Sequence, residues 1–169
     1  MQHLLKLFFE IAILRKGPQD VPGSPWLLRM LLPVYAASNA LIMFLNGYGS
    51  SALQQIAADF LLMVGFSWPL LHFAGKPARF RQTLAALVGT DIIISLVTVP
   101  AILILGNQAP IPALFAVVAL MTWHWLVCGH IFRHALDRPL FFGLALALLY
   151  ILISYQVMDL LFSNLSTQT

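Results

Sequence analysis

An aspartate and a histidine set deep in apolar sequence are the residues of this chain best placed to do chemistry. Asp91 stands seven positions after Leu84 in one apolar run, and His124 eight positions before Phe132 in the next. If both runs are helices, a rise of 1.5 Å per residue puts them about 10 and about 12 Å from the same end. A carboxylate beside an imidazole can share a proton and serve as a polar relay, and an ionisable group at that depth is costly unless it has such a use. The plainer reading of the pair is an interhelical hydrogen bond.

Three further histidines suggest a weaker possibility. His130 and His134 are four residues apart and share one helical face, with His72 near the same end of another run. With Asp137 they would form a small metal site, but Arg133 and Arg138 beside them oppose a cation. A basic surface facing lipid headgroups explains the same residues without a metal. Haem is excluded because only His124 lies deep, and no cofactor is expected. Asp59 and Asp159 lie near run ends that water can reach. The sequence has no phosphate-binding glycine loop, zincin motif, nucleophile elbow or CxxC, so an enzyme reading has no residue to start from.

The elements that must position these groups follow from composition. Of 169 residues, 60% are hydrophobic and 9% charged, and the mean hydropathy is +0.89. Too few charges remain to solvate a domain of this size in water, so lipid must be the surrounding solvent. Five apolar runs, 26–45, 56–73, 84–105, 113–132 and 140–162, each approach the roughly 20 residues a membrane-spanning helix needs. The expected fold is all-α: a polytopic transmembrane bundle of five helices joined by short connections. Asn39, Ser67, Thr90, Ser95, Thr98, Ser154 and Gln156, with Gly89, Gly129 and Gly143, suit close helix packing, and Cys128 a small packing role.

Residues 4–14 are apolar but too short to cross. His3, Lys6 and Glu10 fall on one face of that segment and Leu4, Leu5, Phe8, Ile11 and Leu14 on the others. This predicts a short amphipathic helix in the membrane interface, not a signal peptide, ended by the Pro- and Gly-rich stretch 17–25. The chain divides into a head at 1–25, a transmembrane domain at 26–163 and a tail at 164–169.

All nine basic residues fall on one side of this layout. Lys6, Arg15, Lys16 and Arg29 lie in or just after the head, Lys76, Arg79 and Arg81 between the second and third runs, and Arg133 and Arg138 around the fourth connection. Basic residues are retained in the cytoplasm, which places the N-terminus inside and, with five spans, the C-terminus outside. Lys76, Arg79, Arg81, Arg133 and Arg138 then form a cytoplasmic basic face. The net charge of +3 is explained by this scatter, with no patch suited to nucleic acid.

The stretch Gly75-Lys76-Pro77-Ala78-Arg79-Phe80-Arg81-Gln82-Thr83-Leu84, followed by Gly89-Thr90 and by Pro100, resembles the cytoplasmic loop and third span of bacterial Yip1-like membrane proteins. The likeness extends over residues 36–161. Residues 8–25, with Arg15-Lys16-Gly17-Pro18-Gln19-Asp20, are similar to the short head of bacterial relatives. The resemblance implies a non-enzymatic integral membrane scaffold in the bacterial cytoplasmic (inner) membrane. Its partners would be the lipid bilayer, other membrane proteins or further copies of the chain. Eukaryotic relatives are associated with membrane traffic and small GTPases, but the head here offers a GTPase little surface. The alternative is a small transporter or channel component using Asp91 and His124.

Overall fold

The computed structural model describes residues 2–46, 52–105 and 110–162. The connections expected around 46–55 and 106–112 fall partly outside the described residues, and the tail at 164–169 wholly so. Among the described residues there are six α-helices and no strands: α1 (Gln2–Ala12), α2 (Pro25–Leu45), α3 (Ala52–Phe73), α4 (Phe80–Leu105), α5 (Pro110–Leu136) and α6 (Leu140–Phe162). The last five are each long and apolar enough to cross a membrane, which makes the chain a multi-pass integral membrane protein.

Helices α3, α4 and α5 run past the apolar segments that mark them. Gln54 and Gln55, Arg81 and Gln82, and Arg133 and His134 continue the helical ladder. An apolar run records the thickness of hydrocarbon, whereas backbone hydrogen bonds continue into the headgroup region whatever the side chain. Helix α2 opens where Pro25 supplies a pre-set φ and Ser24 caps it, its hydroxyl accepting from the Trp26 N–H at 3.3 Å.

Helix α4 is the axis of the bundle. Its residues from Thr83 to Ser95 are buried all round, Asp91 alone being partly exposed. A helix apolar on every face is stable only when enclosed, and α1, α2, α3 and α5 enclose this one.

The head helix is more deeply engaged than an interfacial helix must be. Phe8, Ile11 and Ala12 are buried, and the Phe8 ring occupies the space where a Cβ on Gly89 would lie. The Trp123 indole donates to the Ala12 carbonyl at 2.8 Å, and Gln82 Nε2 to the Val21 carbonyl at 3.0 Å. Leu5, Phe9 and Ile13 keep an outer apolar face exposed, as lipid contact requires. The helix ends at Ala12, ahead of the Pro- and Gly-rich stretch. Leu14 turns left-handed at φ 64°, and the Arg15 N–H bonds back to the Glu10 carbonyl at 2.8 Å.

Candidate functional site: two carboxylates and a histidine at an apolar cavity

Asp91 faces the interior because α4 is surrounded, and its neighbours come from two other helices. Its Oδ2 accepts from Asn39 Nδ2 on α2 at 2.9 Å, and its Oδ1 lies 3.9 Å from His124 Nδ1 on α5. The first distance is a hydrogen bond and the second is too long for one, so that contact is electrostatic. Asp59 on α3 is tied to α2 as well, its Oδ2 accepting from the Tyr35 hydroxyl at 2.6 Å. Tyr35 and Asn39 are four residues apart, so one face of α2 holds one oxygen of each carboxylate.

The two acids and the histidine line a cavity of about 400 Å³ among α3, α4, α5 and α6. Thr90, Tyr150 and Ser154 complete its polar wall. The Asp91 and His124 side chains remain 17% and 32% exposed, so the space reaches both of them. All five long helices thus contribute to the site, α2 by holding the acids and the other four by lining the space.

Tyr150 also closes the cavity toward the end that carries the basic residues. Its ring lies 5.3 Å from Phe66 and 6.4 Å from Phe132, whose own centroids are 5.6 Å apart. His124 is fixed by its flanking residues: Trp123 bonds to Ala12 on the head, and Trp125 Nε1 donates to the Leu144 carbonyl on α6 at 2.9 Å.

The basic residues are not uniformly free. Lys76 Nζ and Arg79 Nη1 both meet Asp137 Oδ2, at 2.5 and 2.9 Å. Lys76 Nζ also donates to the Leu136 carbonyl at 2.7 Å, and Arg79 to those of His134 and Ala135 at 3.2 Å each. These are the carbonyls a helix C-terminus leaves without partners, so the connection before α4 caps α5. The arginine hydrogen bond, then the lysine, hold the Asp137 carboxyl down at about 2. Arg138 lies over the Phe142 ring at 5.8 Å, Arg133 Nη2 meets His134 Nε2 at 3.1 Å, and Arg81 is exposed.

The histidines proposed for a metal are occupied otherwise. His130 Nε2 bonds to the Lys16 carbonyl at 2.9 Å. Its ring stands edge-on to that of His134 at 4.6 Å, and His72 stacks on Trp68 at 5.1 Å. Among the described residues no three His, Cys, Asp or Glu side chains converge to hold an ion.

Sequence reasoning did not single out Tyr35 or Tyr150, and read Asn39 as a packing residue and Asp59 as an acid near a helix end. Asp59 was expected to be a solvated group near a helix end, but seven residues of rise carry it about 10 Å past Ala52, into the cavity wall. The available signal was the Tyr35–Asn39 spacing on a helix that otherwise offers lipid-compatible residues. Asp159 is exposed near the end of α6, as its position suggested. Comparison with protein-family models, with curated proteins and with solved structures returns no match.

Proposed function

We propose that this chain is a small transport or channel component of a bacterial cytoplasmic membrane, with its N-terminus inside, its C-terminus outside and no enzymatic activity of its own. The observation that carries the reading is the cavity of about 400 Å³ holding Asp59, Asp91 and His124 within apolar helices. A bundle that served only as a scaffold would gain stability by filling that space with side chains. The collection of basic residues at one end supports the orientation.

The opposite end of the bundle favours a second, compatible reading. There Lys76, Arg79 and Asp137 lock two connections together, and the helices pack tightly, as a Yip1-like scaffold for lipids, other membrane proteins or further copies of itself would require.

Thiol labelling in intact cells tests the first reading. Met63, in the cavity wall and 5% exposed, is changed to Cys in a Cys128→Ser background. Membrane-impermeant methanethiosulfonates of both charges are then added outside. Reaction with either is expected. Reaction only after the cytoplasmic face is opened would place the mouth of the cavity on the inner side, and reaction with lipid-soluble reagents alone would leave the cavity dry and end the transport reading.

A further inference from the structure

The chemistry of the cavity wall selects its occupant. Two carboxylates reach it, and no lysine or arginine is among its lining residues. Each carboxylate has one oxygen engaged by a neutral donor on α2, which fixes its position without cancelling its charge. His124 Nδ1 lies 3.9 Å from Asp91 Oδ1, so a single imidazole stands against two carboxylates. Ser154 Oγ is buried in the same wall, within reach of the Tyr150 hydroxyl, and adds no charge to it.

The rest of the wall is poor in oxygen. Met63, Met121 and Met158 bring thioethers, and the Thr90 hydroxyl already donates to the Ala86 and Leu87 carbonyls of its own helix. A hard metal ion needs about six oxygens and an alkali ion a ring of carbonyls, neither of which this wall provides. Apolar and aromatic walls around two anchored carboxylates suit a different shape: a charged head on a hydrophobic body.

We infer that the cavity binds a small organic cation, an ammonium carried on an apolar body, with Asp59 and Asp91 as the anionic contacts. The inference rests on the cavity being a working site, and the test separates the two. The head of such a ligand lies between α3 and α4, and its body lies along Met121, Ile151 and Tyr155. Both acids meet the ligand. Tyr35 and Asn39 are positioning residues that aim them.

Full-length protein in phosphatidylcholine nanodiscs is titrated calorimetrically with benzyltrimethylammonium, benzenesulfonate and benzyl alcohol, a cation, an anion and a neutral compound of similar bulk. Saturable binding is expected for the cation alone. Asp59→Asn and Asp91→Asn should each weaken it by about tenfold or more, the loss of one charged contact. Asp159→Asn, an exposed carboxylate outside the wall, should leave it unchanged. Ile94→Trp, which fills the space, should abolish it. If Asp91→Asn fails to fold, Asp59→Asn carries the same comparison. Equal binding of the anion or the neutral compound, lost in Ile94→Trp, would overturn the cation assignment and leave the cavity a site. Saturable binding of none of the three, or binding that survives Ile94→Trp, would overturn both.

Discussion

The two halves of the bundle handle polar groups in opposite ways. At the basic end Lys76, Arg79 and Asp137 satisfy one another and the last carbonyls of α5, and the interior beneath them is closed by Phe66, Phe132 and Tyr150. In the other half Asp59 and Asp91 are each half-satisfied from α2 and turned toward open space. Lipid offers no hydrogen bonds, so a polar side chain in a bundle must find a protein partner or a wet cavity. The basic end shows the first solution, and the carboxylates of the other half border the cavity.

The largest effect expected of this difference lies at the α5–α6 crossing. A Cβ on Gly143 would overlap the Gly129 carbonyl and stand 2.8 Å from Arg133 Cβ, so Gly143→Leu forces the helices apart. It should cost about 3 kcal/mol or more in a detergent melt, the upper range for overpacking a close-packed interior. Ile151→Phe, an enlargement facing the cavity, should cost less than about 1.5 kcal/mol because empty space receives it. Equal penalties would erase the distinction between the halves.

The packed half was the more legible in sequence. Five apolar runs yielded the number of long helices, because hydrocarbon thickness and helical rise leave few alternatives. Gly129 and Gly143 marked a close contact through their lack of a side chain, though not which helices met. The cavity was legible only in part. Depth along a helix follows from counting, so Asp91 and His124 were matched in height, but helix rotation depends on packing that no single run encodes. That is why the link from Asn39 to Asp91 and the move of Asp59 from a helix end into the wall emerged only in three dimensions. The basic residues showed the converse. Their side of the layout was plain, but the use of Lys76 and Arg79 as a helix cap depended on the left-handed turn at Asp137, φ 53°.

A smaller effect should mark the half-satisfied acids. Asp91→Asn and His124→Gln in a double-mutant cycle should couple by about 0.5–1 kcal/mol, the low end for interacting residues, because 3.9 Å separates the two groups and no hydrogen bond joins them. Asn39→Leu should cost about 1 kcal/mol or more by stripping Asp91 of its hydrogen-bond donor. Coupling well above this range would mean a dry, tightly bonded pair, and the contrast between the halves would narrow.

The smallest effect at neutral pH should come from Asp137, and acid should reveal it. The folded protein holds this carboxyl near 2, against an ordinary value of 3.8, through Arg79 first and Lys76 second. A group depressed on folding contributes stability that is complete above its unfolded value and lost as pH falls through its folded one. The contribution should therefore be present above about pH 4 and disappear toward pH 2. Asp137→Asn removes it at every pH, so the melting temperatures of parent and variant should differ near neutrality and converge in that window. Glu10, also held low by its hydrogen bond with Lys16, adds an acid dependence of the same sign but is common to both proteins and cancels in the difference. Because Asp137 is exposed, raised salt should shrink the gap at neutral pH. The variant should also lose far less stability than Gly143→Leu. A loss of similar size would mean that ion pairs at the surface, and not the packed interior beneath them, hold the basic end together.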